Sequence, residues 1–238
     1  GTCRVTTRYK DWPESPATRK LLEDGADVFI RFNEGLTILK KVVAKESEGR
    51  SLALPEQKRF DILVSARKPF GLASTFKGKT TKARGDLAVF QKGGKGYVAR
   101  AQIANGRDLI DSWKLFVGFA APGTGNKDTY PHKVISTPYV GAPGSISTET
   151  YLAIGPFASE QAADNALSYL SCRLTRFLIQ LHKASQNTTR KVYKFVPIQD
   201  WTKKWTDEIL YAKYGITATE AAFIEKIVRP MDLANDAE

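Results

Sequence analysis

Apolar residues recur at three- and four-residue steps along the longest periodic stretch of the chain, which runs from Ser159 to about Lys183. The repeating positions are Ala163, Ala166, Leu167, Leu170, Leu174, Phe177, Leu178 and Leu181. This spacing places them on one side of an α-helix. The pattern therefore predicts a single long helix with one buried face.

Shorter helices are indicated by capping residues and by the positions of proline and glycine. Thr217 and Glu220 have the spacing of a capping box, and Pro16 suits the first turn of a helix because it lacks an N–H donor. The predicted helices run from Ser15 to Glu23, from Asn33 as cap to about Lys45, from Thr206 to before Gly215, and from Thr217 to before Pro230.

Short apolar runs predict strands between the helices. The glycine-rich stretch Gln91–Gly96 predicts the turn of a β-hairpin, and the aperiodic stretch Leu72–Gly85 predicts a long loop. The predicted strands are Val28–Ile30, Asp86–Phe90, Tyr97–Val98, Leu115–Phe119, Val134–Ile135, Tyr139–Val140 and Thr150–Ile154. Together these elements predict an α+β fold. In this predicted fold, residues 86–154 form a twisted, mostly antiparallel sheet that packs against the long helix. The C-terminal helices come after the long helix in the chain.

Composition excludes several classes of protein. The chain has 238 residues, of which 42% are apolar and 26% charged, so it can bury a core. No run approaches the roughly 18 apolar residues that a membrane helix needs, and the first residues lack the apolar region of a signal peptide. With two cysteines and two histidines, neither a zinc finger nor a disulfide scaffold is expected. We expect a protein of the reducing cytoplasm.

The formal net charge of +11 is concentrated in two segments, residues 67–100 and residues 173–204. The first basic segment holds nine basic residues and one acidic residue, and the second holds eight and one. Clustered positive charge favours a polyanionic partner, because binding releases counterions from a phosphate backbone. Neither segment has the pattern of an amphipathic membrane helix, so nucleic acid is favoured, and a solvated face is the alternative. We expect the two segments to converge on one DNA-binding face.

Familiar catalytic motifs are absent from the sequence. Gly78-Lys79-Thr80 lacks the upstream glycine of a Walker loop, and no Gly-x-Gly-x-x-Gly follows a predicted strand. Glu56-Gln57-Lys58 matches the minimal Glu-x-Lys of metal-dependent nucleases, although it lies in a polar connection. His132 is either a general base or a loop histidine that bonds to backbone or phosphate. A stand-alone metal-dependent nuclease therefore stays an alternative.

Segments spread over essentially the whole chain resemble one protein family. In order, they are Arg67–Gly71, Gly96–Val98, Trp113–Val117, Thr148–Gly155, Ser185–Tyr193, Phe195–Trp201, Trp205–Glu208, Tyr211 and Tyr214–Gly215. The most distinctive is Phe195–Trp201, which reads Phe-Val-Pro-Ile-Gln-Asp-Trp. As an ordered set they resemble the C-terminal part of adenine-specific (N6) DNA methyltransferases of bacterial restriction-modification systems, including types fused to an endonuclease.

In that family a catalytic domain that depends on S-adenosylmethionine, with an Asn/Asp-Pro-Pro-Tyr/Phe motif, precedes this region. No Asn or Asp precedes a proline in this sequence. The resemblance therefore implies a target-recognition domain that holds no cofactor, while S-adenosylmethionine belongs to a catalytic domain missing from this chain. We expect the chain alone neither to transfer methyl groups nor to bind S-adenosylmethionine. The implied division is a segment adjoining the catalytic domain (1–66), the target-recognition domain (67–204) and a C-terminal helical segment (205–238).

The resemblance implies double-stranded DNA and the parent's own catalytic domain as partners, without a membrane or a small-molecule substrate. Lys and Arg would contact phosphates, whereas Gln186, Asn187 and Arg190 suit adenine and guanine edges or, alternatively, cap the long helix. The residues expected to contact DNA are Arg67, Lys68, Lys77, Lys79, Arg84, Lys127, His132, Lys133, Lys183, Gln186, Asn187, Arg190 and Lys191. A subunit-interaction module of a restriction complex is a further alternative.

Overall fold

The structure, a computed structural model, describes residues 1–9, 11–49, 51–121 and 130–233. Its strands are β1 Thr2–Tyr9, β2 Trp12–Lys20, β3 Asp86–Gln91, β4 Gly94–Ala99, β5 Trp113–Gly118, β6 Tyr139–Gly141, β7 Ser145–Ser147 and β8 Tyr151–Phe157. Its α-helices are α1 Asn33–Glu46, α2 Arg107–Ile110, α3 Glu160–Ser171, α4 Arg173–His182, α5 Asp207–Tyr214 and α6 Ala218–Ile227. Single turns of 3-10 helix cover Glu56–Lys58, Phe60–Leu63, Arg100–Gln102 and Arg190–Tyr193. Within these ranges, no helix has the length and apolar composition needed to cross a membrane.

The strands of the described residues form one hairpin and two three-stranded sheets. β1 pairs with β2, and β4, β3 and β7 form a sheet in that order, in which β3 and β7 run parallel. β6, β5 and β8 form an antiparallel sheet. The predicted α+β fold, with mostly antiparallel pairing, is therefore confirmed, although the strands after residue 86 make two sheets rather than one.

The sheet of β6, β5 and β8 separates two hydrophobic cores, because strand side chains alternate between its faces. Leu115 and Val117 of β5 belong to the larger core, whereas Phe116 belongs to the smaller one. β8 divides its side chains in the same way. The larger core includes α1, α3, α4, α5 and α6, and the smaller core includes β3 and β4.

The larger core crosses the domain boundaries expected from the resemblance. Its buried side chains include Leu39 from residues 1–66, Leu170 from the middle segment and Phe223 from residues 205–238. These segments are therefore packed into one body. The smaller core, by contrast, is built from residues between Phe70 and Ala153.

The predicted long helix is in fact two helices, α3 and α4. Cys172 between them has extended backbone angles, with φ −61° and ψ 143°. The expected buried face is present, with burial of Ala163, Leu170, Leu174 and Leu178. α3 packs on β5, β6 and β8, and α4 packs on α1, α5 and α6. The apolar periodicity does not reveal the break because it continues across it.

Three other predicted elements are wrong. The helix expected over Ser15–Glu23 is replaced by strand β2, Trp12–Lys20, whose proline residues are tolerated in a two-stranded hairpin. Val28–Ile30 and Val134–Ile135 form no strand. Val134 has a positive φ of 74°, which is incompatible with extended pairing.

Asn33 begins α1 as predicted but does not cap it. Its side chain instead joins the helix to the β1–β2 hairpin. Oδ1 accepts a hydrogen bond from Arg19 Nε at 2.7 Å, and Nδ2 donates to the carbonyls of Val5 and Ser15 at 3.0 and 2.6 Å. Asn33 is buried, so these partners satisfy groups that water cannot reach.

The elements with the strongest local signals are confirmed. β3 and β4 form the predicted hairpin, and residues 72–85 form the predicted loop. Thr206 caps α5, which ends at Tyr214, and the next residue, Gly215, has a φ of +63°. Thr217 and Glu220 form the predicted capping box of α6.

Candidate nucleic-acid interface

The first basic segment folds into the β3–β4 hairpin and the loop of residues 72–85 beside it. All nine of its basic side chains are exposed: Arg67, Lys68, Lys77, Lys79, Lys82, Arg84, Lys92, Lys95 and Arg100. Gly93 and Gly94 at the hairpin tip have φ values of +89° and +126°, which favour glycine. The tip therefore consists of two residues without side chains, and Lys92 and Lys95 flank it in the sequence. We call the exposed basic side chains of residues 67–100 and this tip the hairpin surface.

The loop is fixed to the hairpin through its backbone. The Lys79 N–H donates to the Tyr97 carbonyl at 2.7 Å, and the Tyr97 N–H donates to the Lys79 carbonyl at 2.9 Å. The Gly78 N–H also donates to Gln91 Oε1 at 2.8 Å. A Cβ at Gly78 would lie 2.7 Å from the Tyr97 nitrogen, so glycine is needed for this close approach. These contacts fix the backbone of the loop at Gly78 and Lys79 along β4.

Few of the positive charges on the hairpin surface are neutralised. Three basic side chains are held in ion pairs, which are Arg67–Glu149, Lys79–Asp86 and Arg100–Asp111. The Ala83 N–H and the Lys79 ammonium hold the pKa of Asp86 below its ordinary value, so this carboxylate stays ionised. Within the described part of the chain, six basic side chains form no ion pair: Lys68, Lys77, Lys82, Arg84, Lys92 and Lys95. We call these the six unpaired basic side chains.

A cleft of about 890 Å³ lies between the hairpin tip and the sheet of β5, β6 and β8. Four aromatic side chains line it, namely Phe90, Phe119, Tyr139 and Tyr151. Its charged lining residues are Arg67, Lys92, Lys95 and Glu149. We call it the hairpin cleft.

Arg67 connects this cleft to the loop. Its guanidinium lies 4.7 Å from the centre of the Phe119 ring and 3.3 Å from Glu149 Oε2. Glu149 Oε1 also accepts the Ser74 N–H at 3.0 Å. The Ser74 N–H, and then the charge of Arg67, hold the pKa of Glu149 below its ordinary value. Glu149 therefore ties the start of the loop to Arg67 as an ionised carboxylate.

The second basic segment forms no comparable surface. Two of its basic side chains, Arg176 and Lys183, are buried. Two more form ion pairs, Arg173 with Glu225 and Lys194 with Asp27. The side chains that remain exposed are Arg190, Lys191, Lys203 and Lys204. The expected convergence of the two segments on one face therefore fails for half of the second segment.

Three residues expected to contact DNA are buried: His132, Lys133 and Lys183. Lys183 Nζ donates to the Val134 carbonyl at 2.5 Å, and Arg176 donates to the Lys133 carbonyl at 3.1 Å. The His132 N–H bonds to the carbonyl of the last residue of α6 at 2.9 Å. Burial lowers the pKa of Arg176 to about 10. These side chains pack residues 130–134 against α4 and α6, so their assignment as DNA contacts is corrected.

Gln186 and Asn187 are exposed, and Asn187 pairs with Ala120, which lines the hairpin cleft. The Ala121 N–H donates to the Gln186 carbonyl at 3.0 Å, and the Thr188 N–H donates to the Phe119 carbonyl at 2.7 Å. Because Arg67 stacks on Phe119, this part of the second segment does approach the first. The end of α4 is closed by a backbone N–H rather than by either amide side chain. The helix-capping alternative is therefore not the arrangement observed.

Arg190 and Lys191 lie on the last 3-10 turn and are exposed. Arg190 Nε donates to the Asp61 carbonyl at 2.8 Å, which fixes the direction of its side chain. Lys127, the remaining residue expected to contact DNA, lies outside the described residues.

Five predicted DNA contacts are exposed side chains of the hairpin surface: Arg67, Lys68, Lys77, Lys79 and Arg84. The predicted set omitted Lys92 and Lys95 at the tip, and the ring side chains of the cleft. The sequence does indicate that the two lysines are exposed, because Lys92-Gly93-Gly94-Lys95 occupies the turn of a predicted hairpin. The rings carry no local signal, since chain folding brings them together from distant segments.

The nuclease-like Glu56-Gln57-Lys58 forms a single exposed 3-10 turn. Lys58 Nζ donates to the Glu46 carbonyl at 2.8 Å and lies 3.8 Å from the carboxylate oxygen Oε2 of Glu46. Glu56 and Lys58 thus lie on a surface turn, and not on the buried strand that such a nuclease site uses.

Comparison with protein-family models, with curated proteins and with solved structures finds no match to the chain.

Proposed function

We propose that the chain is the DNA target-recognition region of an adenine-specific DNA methyltransferase of a bacterial restriction-modification system. The observation that carries the proposal is the set of six unpaired basic side chains on the hairpin surface. Lys and Arg that neutralise phosphates release counterions, which is the main source of sequence-independent affinity for DNA. The methyltransferase part of the proposal rests on the resemblance of the ordered sequence segments.

The shape of the hairpin supports duplex DNA as the partner. The major groove of B-DNA is about 12 Å wide and admits a two-stranded β-ribbon. Gly93 and Gly94 add no side chain at the tip, and Lys92 and Lys95 lie on either side of it. With the tip in the groove, the two lysines face the phosphates of both groove walls.

Residues that read bases are expected to lie beside this surface. Gln186 and Asn187 present exposed amide groups, which can bond bidentately to the N6 and N7 atoms of adenine. Their backbone is held by Ala121 and Phe119, so the side chains start from a fixed position. In this proposal the hairpin surface positions the duplex, and the two amides contribute sequence preference.

The catalytic step belongs to a separate domain in this proposal. That domain binds S-adenosylmethionine and transfers its methyl group to adenine N6, while this chain fixes the position of the enzyme on DNA. Its partners are then duplex DNA and the catalytic domain, in the bacterial cytoplasm.

A salt series tests the proposed DNA binding. If all six unpaired basic side chains contact phosphates, the logarithm of the binding constant for a duplex falls against the logarithm of salt concentration with a slope of about −5. Lys82→Ala and Arg84→Ala should each weaken binding to every duplex and reduce the slope by about one. Lys204→Ala, an exposed lysine of the second segment, is the control. A slope near zero, or an equal effect of Lys204→Ala, contradicts the proposal.

Selection of bound duplexes from a random-sequence library tests recognition of a target. We expect one enriched motif. Asn187→Ala should cost about 1–3 kcal/mol at one position of that motif, whereas Arg84→Ala should leave the motif unchanged. Binding without any enriched motif would show that the chain is a DNA-binding module and not a recognition domain.

A further inference from the structure

The hairpin cleft has an aromatic lining that the docking of a paired duplex on the hairpin surface does not use. It opens beside the hairpin tip, and its volume of about 890 Å³ is in the range of small-ligand sites. Phe90 comes from β3, Tyr139 from β6 and Tyr151 from β8. The cleft is thus formed where the two three-stranded sheets meet.

Three of the aromatic side chains, Phe90, Tyr139 and Tyr151, form a continuous wall of tilted rings. The ring centres of Phe90 and Tyr139 are 4.9 Å apart, and those of Tyr139 and Tyr151 are 5.7 Å apart. Buried Phe116 supports the wall from behind, with its ring centre 5.6 Å from that of Tyr139. Phe90, Tyr139 and Tyr151 are partly exposed. Such a wall, held by packing on one side and open on the other, suits a planar aromatic ligand.

The charge of the cleft selects an anion. Lys92 and Lys95 line it and belong to the six unpaired basic side chains. Glu149 also lines it, but Arg67 and the Ser74 N–H already occupy this carboxylate. A ligand that is both planar and anionic matches this combination, and a nucleotide has both properties.

We propose that the hairpin cleft binds a single unstacked nucleobase of the bound DNA. The planes of neighbouring rings along the wall are tilted by 57° and 82°, so the base stacks on one ring and contacts the next with its edge. Its phosphate contacts Lys95, whose Nζ lies 5.9 Å from the centre of the Phe90 ring. A paired base has both faces covered by its neighbours, so it must leave the stack before it reaches these rings. The inference rests on the proposed function, because DNA is the source of the base.

Three versions of one duplex provide the test. The first is fully paired, the second carries one extra unpaired thymidine, and the third carries an extra abasic nucleotide at the same place. The abasic bulge has the same added phosphate and a comparable bend but no base. We expect the thymidine bulge to bind about tenfold more tightly than both others, as base–aromatic stacking provides.

Matched variants locate the effect. Tyr139→Leu and Tyr151→Leu keep apolar volume but remove the ring, and each should abolish the preference for the thymidine bulge without weakening binding to the paired duplex. Tyr97→Leu, on β4 outside the cleft, should keep the preference. Thermal unfolding of each variant establishes that the fold is retained.

The outcomes distinguish this inference from the proposed function. Equal binding of the three duplexes overturns the inference and leaves the proposed function intact. No binding to any of them overturns both. A preference that survives Tyr139→Leu and Tyr151→Leu places recognition of the base elsewhere, and so overturns the assignment to the hairpin cleft.

Discussion

The carboxylate of Asp207 closes the N-terminus of a helix that begins at Arg173, earlier in the chain. Oδ2 accepts the Arg173 N–H at 3.0 Å, and Oδ1 accepts the Leu174 N–H at 3.0 Å. Asp207 is itself the first residue of α5, whose own cap is Thr206. Two adjacent residues at the start of α5 therefore cap the N-termini of two helices: Thr206 caps α5, and Asp207 caps α4. This contact fixes α4 at the break after Cys172.

We expect Asp207→Ala to lower the free energy of unfolding by about 1–2 kcal/mol, because two helix N–H groups lose their acceptor. Urea unfolding followed by circular dichroism measures the change. Asp164→Ala, at an exposed position of α3, is the matched control and should stay within about 0.5 kcal/mol of the wild type. Equal effects of the two variants would show that Asp207 contributes no more than a surface carboxylate.

The sequence was sufficient where a local signal decided the structure. Thr206, Thr217 and the glycines of the hairpin turn each specify their conformation through their own hydrogen bonds or backbone angles. The sequence did not predict the local structure where contacts with residues distant in the chain determine it. Pro16 suits a helix start, yet pairing with β1 makes its segment a strand, and Asp207 caps a helix that no pattern near Cys172 reveals.

The candidate site shows the same limit. Charge counting identified residues 67–100 correctly as an exposed basic surface, but it could not separate buried cations from exposed ones in the second segment. Arg176 and Lys183 count as positive charges in the sequence, whereas in the fold they bond to backbone carbonyls. The hairpin cleft forms where β3, β6 and β8 come together. No local sequence pattern specifies this arrangement, so the sequence did not predict the cleft.

The most distinctive sequence segment, Phe195–Trp201, is part of a buried hydrogen-bond network. Gln199 Nε2 donates to Tyr214 Oη at 2.8 Å, and Gln199 Oε1 accepts from Lys213 Nζ at 2.7 Å. Tyr214 Oη in turn donates to Glu46 Oε1 at 2.8 Å. The segment thus joins α1 to α5 within the larger core, and a structural role explains its particular residues.

Tyr214→Phe should lower the free energy of unfolding by about 1–2 kcal/mol, because Gln199 and Glu46 lose a buried partner. The matched control is Tyr211→Phe on the same helix. The Tyr211 hydroxyl is buried without a hydrogen-bond partner among the described residues, so its removal should be neutral or slightly stabilising. Urea unfolding of both variants checks the difference, and a larger loss for Tyr211→Phe would contradict the network.

Asp27 should make stability depend on pH in acid. Burial alone would raise its pKa, but hydrogen bonds from Lys194 and His182 outweigh this and hold the pKa at about 2, below the ordinary 3.8. The unfolded chain therefore binds this proton more readily than the folded chain. The stabilisation is complete above about pH 4 and is lost as the pH falls toward about 2.

The measurement is the difference in unfolding free energy between the wild type and Asp27→Asn across this pH range. We expect the wild type to be the more stable above about pH 4, and the difference to shrink toward zero near pH 2. A difference that stays constant between these limits would show that the carboxylate is not coupled to Lys194 and His182.

Glu149→Gln should strengthen binding to any duplex and make it more sensitive to salt. Glutamine keeps an oxygen acceptor for the Ser74 N–H but removes the charge that holds Arg67. An Arg67 released in this way can contact a phosphate, so the log–log salt slope should steepen by up to about 0.9 and the affinity at low salt should rise several-fold. Glu225→Gln releases Arg173 in the same manner but away from the hairpin surface, and it should leave the slope unchanged. If both variants change the slope equally, the effect is one of net charge, and Arg67 is not part of the interface.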